Sequence, residues 1–231
     1  LDGSMNVGSL TTNAGGTLAL NADTITASGG ISLGEAVTLE RDVTLTGVNV
    51  TLVSTVNGAQ ALTVNGSGVT TFGGAIGADT PLASLTTDVA GSLQLNGASI
   101  VTIGAITLND QFTIGADLTV GTTNANVLFG ATVNSVDATA RDLTVNAGSG
   151  NIRFAATVGA TQALDAVALN STGDTRLDAS LNVGSLTTNA GGTSLLNGGT
   201  ITSVGAVTFN DNVTLGADLT VGTTNANVLF G

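Results

Sequence analysis

Fifteen residues, ADLTVGTTNANVLFG, occupy Ala116–Gly130 and return unchanged at Ala217–Gly231, 101 positions later. A repeat held at fixed register constrains the fold more than any single motif, because it calls for an array of like units. The correspondence covers residues 83–130 and 184–231, with LNGASIVTIGAITLNDQFTIGADLTV (Leu95–Val120) facing LNGGTITSVGAVTFNDNVTLGADLTV (Leu196–Val221). Its substitutions keep apolar facing apolar: Ile106 with Val207, Leu108 with Phe209, Phe112 with Val213, Ile114 with Leu215. Looser copies fill the rest. Leu1–Thr17 matches Leu177–Thr193, TVN precedes LTVN at Thr55–Asn65 and at Thr132–Asn146, and Ala75–Leu85 reads against Thr157–Val167. Residues 1–231 therefore read as one repeat array without a linker, and its mid-repeat ending reads as a segment of a longer chain.

Inside the long unit runs a shorter rhythm of triplets with apolar ends and a polar or small middle: Val37-Thr38-Leu39, Val43-Thr44-Leu45, Leu62-Thr63-Val64, Phe112-Thr113-Ile114, Leu118-Thr119-Val120. Period two places both ends on one face and the threonine on the other. Gly, Asn, Ala and Asp fill the gaps, where tight corners are needed. Strands of about three residues are too short for a sandwich, whose strands run about 5–6 residues, and they suit the sides of a coil. The expected fold is all-β, a right-handed parallel β-helix (β-solenoid) by the crossover preference. Its rungs are expected to take roughly 20 residues, the 101-residue unit to hold roughly five rungs, and the chain to make about eleven or twelve in a rod of about 55 Å. Leu118, Val120 and Phe129, with their copies Leu219, Val221 and Phe230, are the expected inward core. Asn96 with Asn197 and Asn126 with Asn227 are equivalent corner positions, suited either to amide stacking along the rod or to left-handed turns.

Composition closes several functional classes. The 16 acidic residues against four arginines leave a net charge of −12, which repels nucleic acid and anionic lipid. No apolar run approaches the roughly 18 residues of a membrane helix. With no His, Cys, Lys or Tyr, only carboxylates remain to move protons. The acids are scattered, no Trp or Tyr offers a sugar platform, and the densest group, Glu35, Glu40, Arg41 and Asp42, reads as a solvated corner. No catalytic residue and no cofactor is expected. Asp110 and Asp117, echoed by Asp211 and Asp218, are the only Ca²⁺ candidates, although Ca²⁺ wants six to eight converging oxygens.

The unit ALTVNGSGVTTFGGAIGADTPLASL followed by LNGASIVTIGAITLNDQFTIGADLTV resembles the β-strand repeats of large secreted bacterial surface proteins, the filamentous haemagglutinin-like adhesins and autotransporter-type exoproteins. The resemblance implies a β-solenoid shaft, exported to the cell surface or the extracellular space, that self-associates end to end or laterally into fibres. It covers shaft alone: Arg41-Asp42 and Arg141-Asp142 are followed by Val43 and Leu143, so no Arg-Gly-Asp attachment triplet is present. The competing expectation is a binding module whose Thr- and Asn-rich flank recognises carbohydrate, ice or another solenoid. A rod should carry irregular outward residues, whereas a binder should repeat the same side chain on one face over several rungs.

Overall fold

Apolar-polar-apolar triplets joined by corners can satisfy their backbone only by stacking on their own next turn, and the chain does so throughout. The computed structural model describes residues 1–231 as a three-sided β-solenoid without helices in which the strand pairs are parallel. The first face is an 11-stranded sheet from Met5–Val7 to Asn212–Leu215, which fixes eleven turns. The second face rises from Leu10–Thr11 to Val133–Ser135, passes through a bridge at Val158, and continues into Leu181–Thr188, Gly199–Ser203 and Leu219–Thr223. The third runs from Thr17–Leu20 through a bridge at Ile76 to Val228–Phe230. One turn takes as few as 19 residues, from Leu45 to Val64, and as many as 25, from Val127 to Ile152.

This variation changes the reading of the long repeat. Leu85 lies on the first face beside Ile106, but its copy Leu186 lies on the third beside Val207. Phe112 stands on the second face and its copy Val213 on the first; Val120 stands on the third and Val221 on the second. Five turns would need fifteen sides, and the 101 residues cover fourteen, or four and two-thirds turns. Each copy is thus rotated by one face relative to the last.

Local geometry survives the rotation. The Asn109 backbone N–H donates to Thr87 Oγ1 at 3.2 Å and its amide to the Thr87 carbonyl at 2.8 Å. Asn210 makes the same two bonds to Thr188, at 3.1 and 2.6 Å, around a different corner. Thr122 and Thr223 each donate to a carbonyl three residues on, at 2.7 and 2.6 Å, closing turns in which Asn124 and Asn225 hold φ near +60°. Asparagine is among the few residues that enter this left-handed region readily.

The interior is a single cluster of 48 buried apolar residues, dominated by Val, Leu and Ile. On successive rungs of the first face Phe129 stacks on Phe154, centroids 4.5 Å apart and 5° from parallel. Leucines, valines and such stacked rings need no large jigsaw pieces, because the inward residues of each rung pack mainly on apolar residues of the rungs above and below.

Candidate functional site

Stacking decides what each expected residue experiences. Leu118, Val120 and Phe129 are buried. Leu219 and Val221, in the final rung, are partly covered, and Phe230 is 54% exposed although it still stacks on Phe209 at 5.6 Å. Phe230 lies in the last rung described and stacks on Phe209 as Phe129 stacks on Phe154. The asparagines do not form amide ladders at the expected positions. Asn126 Oδ1 accepts the N–H of Asn151 at 2.9 Å, and Asn151 Oδ1 in turn accepts the N–H of Asp174 at 2.8 Å. Asn197 donates to Asp178, and Asn96 Oδ1 accepts from Gln94 at 3.1 Å. Asn227, in the final rung, makes no side-chain bond of this kind. Asn126 and Asn151 thus staple the next rung by its backbone, while Asn197 and Asn96 bond side chains. One amide pair does span two rungs, Asn170 to Asn146 at 2.8 Å.

The four aspartates do not converge on a cation. Asp110 precedes the strand Gln111–Ile114 and Asp117 follows it, so they sit on different corners, as do Asp211 and Asp218; no group of three or more potential ligands assembles. Asp117 accepts the N–H of Asp142 at 3.1 Å. Asp211 is buried but satisfied, by the N–H of Gly192 at 3.0 Å and the Ser194 hydroxyl at 3.1 Å. Asp110, its copy, is 1% exposed and has no donor within 3.5 Å of either oxygen; Leu93 stands where Ser194 donates in the copy, and Asp88 where the copy has Asn189. Burial pushes its pKa up from 3.8 to about 6, the nearby Asp88 carboxylate adds to this, and the Thr87 hydroxyl offsets only part.

Charges elsewhere tie rungs together. Arg41 pairs with Asp23 at 2.8 Å, and Asp42 accepts the N–H of Ala61 at 2.8 Å, so the group around Glu40 stitches a corner. Arg153 and Arg176, directly opposed on adjacent rungs, both reach Asp178 through Nε, at 2.7 and 2.6 Å. Burial alone would raise Asp178, but hydrogen bonds from Asn197, Arg176 and Arg153 outweigh it and hold the carboxyl below its ordinary range.

Two outward features stand apart from this stitching. On the first face Thr24, Thr44, Thr63, Thr86 and Thr107 pair in register on five successive rungs. The file then passes to Leu128, Arg153, Arg176 and Leu195. The second feature is a groove of about 430 Å³ on the second face, floored by Gln94, Gln111, Thr113 and Asn134. Its wall is the loop around Ala160 and Thr161, and the floor holds that wall: Asn134 Oδ1 accepts the N–H of Thr161 at 3.0 Å and of Gln162 at 3.4 Å. Ser135 donates to the Ala163 carbonyl at 2.8 Å. The loop turns at Gly159, φ +69°, where a Cβ would lie 2.0 Å from the Asn182 carbonyl oxygen, so only glycine fits.

The same device occurs once more. Asn57 Oδ1 accepts the N–H groups of Asp79 and Thr80, at 3.0 and 3.2 Å, beyond a turn at Gly77, φ +68°. The doubled TVN at Thr55–Asn57 and Thr132–Asn134, each followed by a copy of the Ala75–Leu85 segment, is the sequence signal for these pinned loops. Gln94 and Gln111 carry a second signal, since Leu195 and Asn212 replace them in the other copy.

No family model, curated protein or solved structure matches the chain.

Proposed function

We propose that this chain is a length of structural shaft from a bacterial cell-surface or extracellular fibre or adhesin, working by shape and reach and not by catalysis. One observation carries the reading. The fifteen-residue sentence ADLTVGTTNANVLFG lies on one set of faces at Ala116–Gly130 and on another at Ala217–Gly231, yet its inward alternation and its corner bonds are kept. A repeat that moves from face to face preserves a stackable cross-section and no fixed outward surface. Stability is then close to a sum of rung and interface terms, and reach grows by copying. Eleven rungs at about 4.8 Å per step make a rod of about 50 Å, to which each further 101-residue unit would add about 22 Å. The resemblance to filamentous haemagglutinin-like repeats supports export and self-association into fibres. Antibodies against the rod, applied to intact producing cells and viewed by electron microscopy, should decorate extracellular fibres; label confined to the cell interior would overturn the reading.

The five-threonine file favours a second reading, a binding module whose flat first face engages a regular surface such as ice or another solenoid. Thr63→Lys, at the middle of the file, would then abolish binding without disturbing the rod. Unchanged behaviour in ice-recrystallisation and self-association assays would dismiss it.

A further inference from the structure

We propose that the groove on the second face is a binding subsite for a neutral, hydroxyl-rich ligand, a stretch of uncharged glycan. The proposal goes beyond the shaft reading and stands or falls separately from it. The volume, about 430 Å³, lies within the roughly 300–1,000 Å³ of small-molecule sites. None of the ten lining residues is charged. Its polar surface is made of side-chain amides and hydroxyls, which donate and accept at once, as sugar hydroxyls do. Gln111 is exposed and its amide makes no bond within the protein, and Gln94 spends only its NH₂, on Asn96 at 3.1 Å. Asn134, which lines the groove, is 8% exposed; both of its intramolecular bonds use Oδ1, and its NH₂ group makes no bond within the protein.

Three physical arguments select this class of ligand. A peptide adding itself as a strand needs an unpaired sheet edge; the floor strands Ser92–Leu95 and Gln111–Ile114 are paired on both sides, and the outer edge of Val133–Ser135 is closed by backbone bonds to Thr157, Gly159 and Gln162. An acidic glycan would approach a chain of net charge −12 with no lining arginine to meet it, whereas a neutral glycan carries no such cost. The wall is also preformed, so little ordering is required on binding. The groove is further the place where the chain departs from its own repeat: Gln94 becomes Leu195 and Gln111 becomes Asn212 in the copy. Packing does not require glutamine at either position, since the copy stacks without it.

The natural replacements supply the test. The intact chain and a Gln94→Leu/Gln111→Asn variant are titrated with neutral oligosaccharides: β-1,4-glucan, β-1,4-linked N-acetylglucosamine, α-1,4-glucan and α-mannan tetramers. The readout is the side-chain amide NMR signals of Asn134 and, in the intact chain, of Gln94 and Gln111. With no aromatic platform, the expected dissociation constant is about 1 mM. At least one neutral oligomer should shift these signals saturably, and the variant should lose the response at least tenfold while keeping its circular dichroism and melting. No shift with any neutral oligomer, the same shift in the variant, or shifts only with oligogalacturonate overturns the proposal. Retained melting in the variant separates loss of the site from loss of the shaft.

Discussion

Asp110 and Asp211 stand at equivalent repeat positions, both buried, and only Asp110 lacks partners. A carboxyl raised from 3.8 to about 6 binds a proton in the folded rung that the unfolded chain has released. The contribution of Asp110 to stability is therefore greatest below about pH 4, declines as pH rises toward 6, and is lowest above it. At about 1.4 kcal/mol per tenfold change in proton affinity, the full penalty is about 3 kcal/mol. Asp110→Asn removes the charge and leaves a buried amide costing about 1–3 kcal/mol of its own, so the net gain at pH 8 should be at most about 2 kcal/mol. At pH 4 the folded Asp110 is already neutral, and the gain should vanish or reverse. Rungs open locally, so the assay is native-state hydrogen exchange across Ser92–Leu95 and Gln111–Ile114 at pH 8 and at pH 4–5, corrected for intrinsic rates. Asp211→Asn is the control and should give no gain at pH 8. A difference between wild type and Asp110→Asn that does not change between pH 4 and pH 8 would refute the argument.

Other perturbations follow from the same stack. Leu118→Asp buries an unpaired charge between Ser99–Thr102 and Leu143–Gly148 and should cost at least about 3 kcal/mol, with exchange protection lost locally, while Leu219→Asp, half-covered, should cost clearly less. Asn134→Ala removes two bonds to the loop wall and should release Gly159–Ala163 by about 1–2 kcal/mol, seen as faster exchange at Thr161 and Gln162. Native protein should resist trypsin after Arg41, Arg153 and Arg176, and the first cut should fall after Arg141, beside the exposed run Val136–Ala140; rapid cleavage at Arg153, inside a strand paired on both sides, would contradict the register. Asp178 is held low, so its contribution is present above the ordinary carboxylate pKa and lost as pH falls through its folded value; Asp178→Asn should weaken the Arg153 and Arg176 rungs at pH 7 and have a smaller effect in acid.

The solenoid and its rung count were legible because short triplets with apolar ends carry period two along the chain and inward residues pack mainly on apolar residues of neighbouring rungs. The phase of the long repeat was not. The extra residues lie in the segments after Ile76, Ser135 and Val158, and a loop of variable length leaves no periodic trace. Phe129 and Phe230 show a second limit: identical neighbours in sequence, opposite exposure, because burial comes from the adjacent rung. Asp110 shows a third. Its difference from Asp211 goes with changes one rung back in the repeat, Leu93 for Ser194 and Asp88 for Asn189, which only the register brings beside it. The groove was signalled by Gln94, Gln111 and the doubled TVN, but side by side only once register brought the second-face strands together.

A fourteen-side repeat on a three-sided rod has a consequence for what the molecule can present. Any outward group fixed by the repeated sequence reappears one face around and four and two-thirds turns along, so copying winds it about the axis. A single-faced binder built by duplication would need a repeat of whole turns, and this one misses by a side. Surface features confined to one face must then come from residues that break the repeat, as Gln94 and Gln111 do. Inserting one extra three-residue triplet with its corner into each 101-residue unit would restore whole turns. Tandem units so altered should align their outward threonines along one face and gain lateral association, whereas the natural register should keep the rods apart or let them pack with no preferred side. Equal lateral association by the two registers, measured by electron microscopy of tandem repeats of each, would show that the rotation has no bearing on how these shafts meet.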